Sequence, residues 1–385
     1  MIMTIIATAI ASIAAFPLVV LSIETLAGLR TPKASPSEGA MPRTTILIPA
    51  HDEAGGISAV VTAIKASGCD ILVVADNCSD ATAANARAAG ARVIERNDKS
   101  LRGKGHALAF GRAALADDSP DIVIVMDADC IPHGGAILTL ARTAAQTGRV
   151  VQGRYELDTR TDDAPMTRIS NFAFSLKNVV RQRGLMRVAG TCVLTGTGMA
   201  FPWALFRDAP LATSDSVEDL AIGLALVRSG HLPLYADDAL VTSAPASGTA
   251  AVTQRTRWEH GFIATASTVA PQMIGSGIAK RRWSSLWLGL HLMVPPLALT
   301  FGVALLALLV LLGLGTISGF TPALCLLAII GVAGFAVLGG WALVGRRTLP
   351  FAVLLRVPLY IVWKLPIYLK LARGADRRWT RTERD

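Results

Sequence analysis

Two carboxylates at the end of an apolar run are the residues of this sequence whose types and spacing most directly suggest chemistry. In DIVIVMDADCIPHGG (121–135), the apolar run 122–126 leads directly into Asp127 and Asp129, which are separated by one alanine. Two like charges this close repel each other unless a cation lies beside them. Hard divalent ions such as Mg²⁺ or Mn²⁺ take one or two protein carboxylates and complete their shell with water and phosphate oxygens. A solvated turn is the alternative, because the same pattern also occurs by chance in loops.

Polar clusters also follow two earlier strand-like segments. His-Asp-Glu (51–53) follows TTILIPA (44–50), and ADNCSD (75–80) overlaps the end of DILVVAD (70–76). Strand patterns recur at 91–97, 121–127 and 149–157, with Ala-rich helical stretches close to 54–67, 80–89, 104–117 and 134–147. This alternation predicts an α/β domain with a mostly parallel sheet. Ligands of such sheets bind beyond the carboxyl ends of the strands, where these polar clusters lie.

Two further segments carry residue types that suit a sugar phosphate. SVEDLAIGLALVRSG (216–230) predicts a helix with Ser216 at its N-cap and Glu218 and Asp219 in its first turn. The alternative is that these acids only complement the helix dipole. TQRTRWEHG (253–261) combines arginines, which suit phosphates, with a tryptophan, whose face suits a sugar ring. An interfacial aromatic belt is the alternative for that segment. Neither G-x-G-x-x-G nor a P-loop pattern follows the first strand, which counts against dinucleotide binding and P-loop chemistry.

Long uncharged runs indicate membrane spans. Residues 286–312 and 322–344 contain no Asp, Glu, Lys or Arg, and each exceeds the roughly 20 helical residues that cross a hydrocarbon core. We expect a hairpin with its turn in GLGTISGFT (313–321) and a kink at Pro295 and Pro296. Uncharged residues at the N-terminus, up to Glu24, form a third candidate span. A cleaved signal peptide is the alternative there, but the usual positive n-region is missing.

The positive charges predict the orientation of these spans. Basic residues follow the first apolar run and flank the hairpin on both sides, at 30–43, 280–282 and 346–347. With three spans, all of these clusters fall on one side, and positively charged loops face the cytoplasm. We therefore expect an external N-terminus, with 31–282 and 346–385 inside.

Most of the net charge of +9 lies in the C-terminal segment. Residues 346–385 carry ten Lys/Arg and three Asp/Glu, a net of +7. Because Leu, Trp and Tyr are interspersed with these charges, we expect part of the segment to lie on anionic lipid. A fourth span is the alternative, although its charges and prolines would be costly inside a bilayer. The spacing does not match a nucleic-acid module, so no nucleic-acid partner is expected.

Taken in order, these motifs resemble those of the processive membrane-bound family-2 glycosyltransferases, which include cellulose, chitin-oligosaccharide and hyaluronan synthases. The motifs are HDE (51–53), ADNCSD (75–80), DAD (127–129), TGTG (195–198), VED (217–219) and QRTRW (254–258). A membrane hairpin follows them, so the resemblance covers residues 44–345. It implies a Rossmann-like GT-A fold, a nucleotide-sugar donor that is most often UDP-linked, a Mg²⁺ or Mn²⁺ ion, and inversion at the anomeric carbon.

The same resemblance implies which residues bind the donor. Glu53 and Asp76 would contact the nucleotide, and Lys104 would lie beside the uridine and the phosphates. Asp127 would help to hold both the nucleotide and the metal, and Arg257 would hold the diphosphate.

The resemblance also implies a catalytic and an acceptor side. Asp129 would bind the metal that bridges the diphosphate. Asp219 matches the family's general base, with Glu218 beside it. Trp258 would form the surface on which the acceptor sugar stacks, with Gln254 alongside. A base is required because the acceptor hydroxyl must lose its proton as it attacks.

Three features depart from the family pattern. Ala75 stands where the family often has the first carboxylate of an Asp-Asp pair, and Asp52 replaces a common Asn. Three spans are also fewer than the six or more of the large synthases. A closed polymer channel within one chain is therefore not expected.

Together these observations predict an inverting, metal-dependent β-glycosyltransferase, a hexosyltransferase, of the cytoplasmic membrane. It would move a sugar from a UDP-sugar to a growing poly- or oligosaccharide, with anionic lipid and other polysaccharide-export components as partners. One alternative is a single transfer to a membrane lipid, as in ceramide-glucosyltransferase-like enzymes. Another is a scaffold without catalysis, against which the intact carboxylates, arginine and tryptophan argue. The expected domains are an N-terminal helix (1–30), a linker (31–43), a GT-A domain (44–245), the QRTRW segment with interfacial helices (246–282), the hairpin (283–345) and a basic tail (346–385).

Overall fold

A computed structural model describes residues 1–35, 39–213, 217–244 and 248–372. The predicted N-cap Ser216 and residues 373–385 of the predicted basic tail lie outside these ranges. The chain divides into two compact units. We call Pro32–Asp158 together with Gly190–Phe262 the sheet unit. The helical unit consists of Met1–Thr31, Thr159–Ala189 and the described residues from Ile263 to Ala372.

The helices are numbered along the chain. They are α1 (Ile2–Gly28), α2 (Ile57–Lys65), α3 (Thr82–Ala88), α4 (Lys104–Ala114), α5 (Ala136–Thr147), α6 (Pro165–Ser175), α7 (Gln182–Ala189), α8 (Trp203–Asp208), α9 (Glu218–Ser229), α10 (Gly248–Ala279), α11 (Trp283–Leu292), α12 (Leu297–Ser318), α13 (Thr321–Gly340), α14 (Phe351–Leu354) and α15 (Val357–Ala372). Two π-helical segments, Leu176–Arg181 and Trp341–Gly345, follow α6 and α13.

The sheet unit contains one mixed sheet. Its strands are β1 (Thr44–Ala50), β2 (Asp70–Asp76), β3 (Arg92–Arg96), β4 (Ile122–Val125), β5 (Cys130–Pro132), β6 (Val151–Leu157), β7 (Met199–Pro202) and β8 (Leu234–Ser243). The order is β3-β2-β1-β4-β7-β6-β8-β5. The pairs β1–β2, β1–β4, β2–β3 and β6–β8 are parallel, whereas β7 runs antiparallel to β4 and β6, and β5 to β8. The predicted α/β class with a mostly parallel sheet is confirmed.

The sheet's first strands are buried because apolar helix faces pack on them. Leu47 on β1, Val74 on β2 and Val123 on β4 belong to one core with Phe201 and Ile222. Strands buried on both faces are expected to be continuous apolar runs, as 122–126 is. β4 ends at Val125, so the two carboxylates of the DAD motif lie just beyond the strand's carboxyl end.

Among its described residues, the helical unit contains three helices that are long and apolar enough to cross a membrane: Ile2–Gly28, Leu297–Ser318 and Thr321–Gly345. Their number matches the three predicted spans. Small residues such as Ala7 and Ala304 are fully buried between them, together with Leu18. Small residues allow close approach of helices that have no hydrophobic driving force within lipid.

The hairpin differs from the prediction in two places. Residues 286–312 do not form one kinked helix, because α11 ends at Leu292 and α12 begins after Pro296. Two successive prolines remove two backbone donors and clash with the preceding turn, so the helix stops instead of bending. The predicted turn at 313–321 is also too long: α12 continues to Ser318, and the chain turns at Gly319 with φ +82°. An uninterrupted helix keeps its backbone hydrogen bonds satisfied in an apolar environment.

The segment after the spans forms a shorter apolar helix, Val357–Leu369, within α15. Its side chains separate into an exposed set that includes Leu359 and Trp363, and a buried set that includes Tyr360 and Lys364. The Lys364 ammonium lies 5.7 Å from the centre of the Tyr360 ring, a cation–π distance. Whether this helix lies on the membrane surface stays a prediction.

A closed ion pair lies inside the helical unit. Glu24 on α1 is 0% exposed, and its Oε2 accepts from Arg181 Nε at 2.9 Å and Nη2 at 2.7 Å. Trp287 Nε1 donates to its Oε1 at 3.1 Å, and His291 Nδ1 lies 2.9 Å from the same oxygen. We call these four residues the closed ion pair. In the sequence, Glu24 is visible only as the end of an uncharged run, and its three partners were not predicted.

Candidate active site

Asp127 and Asp129 lie beyond the end of β4, and both are half-buried. Oxygens of these carboxylates and the Cys130 sulfur all lie within 4.8 Å of one another. Burial raises the pKa of Asp127, Lys104 opposes that shift, and Asp129 adds to it. Two closely spaced carboxylates are an oxygen donor set that fits Mg²⁺ or Mn²⁺.

Lys104 is the first residue of α4 and lies among carboxylates. Its Nζ is 2.5 Å from Asp127 Oδ1 and 3.5 Å from Glu218 Oε1, and it donates to the Gly196 carbonyl at 2.6 Å. Burial works to lower the pKa of Lys104, but Asp127 and Glu218 outweigh it and the pKa is raised. Lys104 is therefore a fixed positive charge at this edge of the sheet.

The helix α9 begins at Glu218, directly after Val217, so both acids lie in its first turn as predicted. Glu218 is buried, and burial raises its pKa to about 7; Lys104 opposes that shift, while Asp219 and Asp127 add to it. Asp219 is half-buried, and its Oδ1 accepts from the Leu220 amide at 2.8 Å. We call Lys104, Asp127, Asp129, Glu218 and Asp219 the charged cluster.

The TGTG loop (195–198) reaches into the charged cluster at Gly196. A Cβ on Gly196 would lie 3.2 Å from Asp219 Oδ2, 3.5 Å from Lys104 Nζ and 3.8 Å from Asp127 Oδ2. Gly196 also has φ +93°, which favours glycine. The loop therefore meets three members of the cluster at one point. The motif was part of the family resemblance, but no role was predicted for it.

Asp76 and Glu53 lie at the carboxyl ends of β2 and β1, and their hydrogen bonds described here involve residues outside the charged cluster. Asp76 ends β2, and its Oδ1 accepts from Arg96 Nη1 at 2.6 Å and Asn77 Nδ2 at 3.0 Å. Glu53 follows β1, and its amide donates to Thr82 Oγ1 at 2.7 Å. Arg96, the last residue of β3, was missed. A basic residue at the carboxyl end of a strand beside Asp76 was the signal that could have found it.

Two of the three departures from the family pattern are single residues, and the structure shows their surroundings. Asp52 has φ +53°, and its Oδ1 accepts from the Ser79 amide at 2.6 Å. Asp and Asn both tolerate this left-handed conformation and both accept such bonds, so one replaces the other readily. Ala75 is buried within β2, where it pairs with Ala50.

Gln254, Arg257 and Trp258 lie on α10, in the part that belongs to the sheet unit. Residues at i, i+3 and i+4 share one face of a helix, so the QRTRW motif presents these side chains together. All three are half-buried. Their assignment to diphosphate and acceptor stays a prediction.

Comparison with known proteins identifies the class. Residues 42–261 match the family model described as "Glycosyltransferase like family 2". The chain therefore belongs to glycosyltransferase family 2, and its sheet unit is GT-A-like. A search of curated proteins found no significant match.

Solved structures are similar to this chain at low sequence identity. A mannosyltransferase from Pyrobaculum calidifontis, solved with GDP-Man and Mn²⁺, is 19% identical with a TM-score of 0.58, over 94% of this chain and 99% of that one. Glucosyl-3-phosphoglycerate synthase from Mycobacterium tuberculosis, solved with Mn²⁺, UDP and phosphoglyceric acid, is 19% identical with a TM-score of 0.41, over 60% and 84%. The same synthase with Mg²⁺ and UDP gives 20% identity, a TM-score of 0.41, and coverage of 57% and 79%.

Proposed function

We propose that this family-2 glycosyltransferase is an inverting, divalent-metal-dependent enzyme that moves a sugar from a nucleotide sugar to an acceptor at a membrane. The observation that carries the proposal is the meeting of Lys104, Asp127 and Asp219 around Gly196. A cation, a candidate metal ligand and a candidate base are the groups that such a transfer needs in one place.

Asp127 and Asp129 are the residues that would hold Mg²⁺ or Mn²⁺. Such an ion, when bound, supplies Lewis-acid neutralisation of the leaving diphosphate. The repulsion between these two carboxylates supports this assignment, because the charge of Asp129 adds to the raised pKa of Asp127. Lys104 then contributes a second positive charge, and Arg257 a third from α10.

Asp219 is the proposed general base. Its Oδ2 lies 3.2 Å from the point that a Cβ on Gly196 would occupy, beside Lys104 and Asp127. The acceptor oxygen attacks the anomeric carbon while Asp219 takes its proton. The pKa of Glu218 is about 7, so Glu218 is mostly protonated and neutral below that pH. Asp219 then has no negative charge from Glu218 beside it.

The remaining predicted residues complete the donor and acceptor sides. We assign Glu53 and Asp76 to the nucleotide, with Arg96 holding Asp76 through its 2.6 Å bond. Trp258 and Gln254, which share a face of α10, are assigned to the acceptor. UDP-sugars are the expected donors. GDP-mannose is the second candidate, because the Pyrobaculum calidifontis structure that aligns with 94% of this chain holds it.

The acceptor is proposed to be a growing poly- or oligosaccharide, with a membrane lipid as the alternative. Three candidate spans in the described ranges favour the alternative, since they are few for a polymer channel. The basic residues that follow α1 and flank the hairpin support a cytoplasmic sheet unit. Cysteine labelling from each side of sealed vesicles tests this: a label reaching position 380 from outside contradicts the orientation.

Nucleotide release tests the function directly. The purified protein is incubated with UDP-sugars or GDP-mannose, with Mn²⁺ or Mg²⁺, and with either an oligosaccharide or a polar lipid extract. We expect metal-dependent release of one nucleotide and a labelled product, whose length separates repeated from single transfer. Absence of release with every donor and acceptor would favour a scaffold.

A further inference from the structure

One buried amide on β6 holds the TGTG loop from both sides of Gly196. Gln152 is 0% exposed, and its Oε1 accepts from the Thr195 amide at 2.9 Å. Its Nε2 donates to the Thr197 carbonyl at 2.9 Å and to the Gly153 carbonyl at 2.8 Å. The side chain therefore bonds to the residue before Gly196 and to the residue after it. All of these residues belong to the sheet unit.

The loop held in this way supplies bonds to two members of the charged cluster. The Gly196 carbonyl accepts from Lys104 Nζ at 2.6 Å. Thr197 Oγ1 accepts from the Asp127 amide at 3.1 Å and donates to Met126 Sδ at 3.3 Å. A shift of the loop would therefore move an ammonium and the start of the DAD motif together.

The local sequence does not fix this loop's conformation without outside help. Gly196 has φ +93° and Gly198 has φ +62°, and glycine visits many other conformations at little cost. The Gly153 amide donates to the Gly198 carbonyl at 2.8 Å, which ties one end. The residues on either side of Gly196 are tied by the Gln152 amide, which accepts from one of them and donates to the other.

We propose that Gln152 is a positioning residue for the donor diphosphate: it fixes residues 195–198 and, through them, Lys104 and Asp127. This inference rests on the proposed function, which assigns those two residues to the donor. Gln152 itself is buried beneath the loop and acts only through it. Its hydrogen bonds reach the amide of half-buried Thr195 and the carbonyl of buried Thr197.

The test uses the full-length protein and compares Gln152→Met with Arg149→Met. Arg149 is a matched control in the same unit, because its guanidinium bonds the carbonyls of Leu232 at 2.6 Å and Gly190 at 3.0 Å. Binding of UDP and GDP in the presence of Mn²⁺ is measured by calorimetry, and donor kcat and KM are measured per folded molecule. Thermal midpoints report the stability of each variant.

We expect Gln152→Met to weaken Mn²⁺-dependent nucleotide binding roughly tenfold. It should lower kcat/KM by about 10²-fold, because small misplacements of reacting groups have effects of this size. Arg149→Met should lower the thermal midpoint while changing both quantities less than about threefold. For Gln152→Glu, the nucleotide affinity relative to that of wild type at the same pH should partly recover as the pH is lowered. A protonated carboxyl can again donate a hydrogen bond.

A merely structural Gln152 gives a different result: fewer folded molecules, with nucleotide affinity and KM unchanged in those that fold. That outcome overturns the inference. If Gln152→Met does not fold, Thr197→Val removes the loop's hydroxyl bonds to the Asp127 amide and the Met126 sulfur, and unchanged binding in that variant overturns the inference as well. If wild type binds nucleotide but transfers no sugar, only the proposed function is contradicted. The inference about Gln152 is then still decided by comparing nucleotide binding in the variants and in wild type. Wild type that binds neither nucleotide overturns both.

Discussion

Two groups of buried or half-buried charges in the described part of the chain, one in each unit, differ in the kind of group that surrounds the central charge. The closed ion pair of the helical unit surrounds one carboxylate, Glu24, with donors from Arg181, Trp287 and His291. The charged cluster of the sheet unit does the reverse, because three of its four carboxylates act on one ammonium, that of Lys104. The first network therefore gathers donors around a carboxylate, whereas the second brings several carboxylates together beside one ammonium.

This difference distinguishes the closed ion pair, which holds the fold together, from the charged cluster, which is the candidate active site. A buried charge that has full hydrogen bonding within the fold holds segments together and requires nothing further. Burial and neighbouring carboxylates raise the pKa values of Asp127 and Glu218, and raised values of this kind are characteristic of functional sites. Under the proposed function, the metal–diphosphate part of the donor would bring a cation to these carboxylates.

The largest expected effect removes a metal ligand from the charged cluster. Asp129→Ala should abolish transfer and metal-dependent nucleotide binding, since one of two carboxylates is lost. The fold should remain, and the thermal midpoint without metal should not fall, because repulsion between Asp129 and Asp127 disappears. Activity assays, calorimetry and thermal melts check this. Full activity of wild type in EDTA would contradict it.

The next effect concerns the proposed base. Asp219→Asn keeps the size of the side chain but cannot accept the proton, so transfer should fall by roughly 10²–10⁴-fold. Nucleotide affinity should change little, because the substitution leaves Lys104 and Asp127 in place. Rate and affinity measured on the same preparation separate this from a helix-capping role. If Asp219 only caps the helix, turnover per folded molecule stays near normal and only the yield of folded protein declines.

The closed ion pair should give the opposite pattern. Glu24→Ala leaves Arg181 buried without its carboxylate, which costs about 3–5 kcal/mol of stability in proteins where such pairs were broken. Turnover per folded molecule should remain near the wild-type value. Ser22→Ala is the control on the same helix, because it removes one buried hydroxyl bonded to the Leu18 carbonyl at 2.7 Å. Loss of turnover in folded Glu24→Ala would show that the closed ion pair also serves the reaction.

The smallest effect is a pH dependence of the charged cluster. The pKa of Glu218 is about 7 in the fold, above its ordinary value of 4.5, so the folded state binds this proton more tightly. The stabilisation is fully present below about pH 4.5 and is lost as the pH rises through 7. Glu218→Gln should therefore show a flatter dependence of unfolding free energy on pH across this window. Denaturant melts of metal-free protein provide the comparison, and parallel curves for the two proteins would exclude the shift.

Much of the sheet unit could be predicted because its signals are local. An apolar run followed by Asp127 and Asp129 already indicates a buried strand ending in a polar edge, and the structure has it there. The alternation of strand and helix patterns from residue 44 predicted a parallel sheet, because each pattern depends on neighbours within one or two turns. Parallel topology then brings the carboxyl ends of β1, β2 and β4 to one edge.

The contacts that hold the site depend on residues far apart in the chain. Gln152 bonds residues more than 40 positions away, and no periodicity marks it among the other residues of β6. Arg96 and Asp76 are 20 residues apart and meet only because β2 and β3 are paired. Arg181 lies 157 residues from Glu24, in a segment that sequence patterns placed within the predicted sheet domain.

The sequence by itself determined the class of fold, the three apolar spans, and which acidic and basic residues were available for chemistry, since composition and short-range periodicity suffice for these. Only the tertiary structure decided which charges are balanced. Glu24 and Asp127 both follow apolar stretches, yet one is enclosed by donors and the other faces further carboxylates. Charge balance is a property of three-dimensional neighbours, and pairs separated by a hundred residues or more leave no pattern in the sequence around either partner.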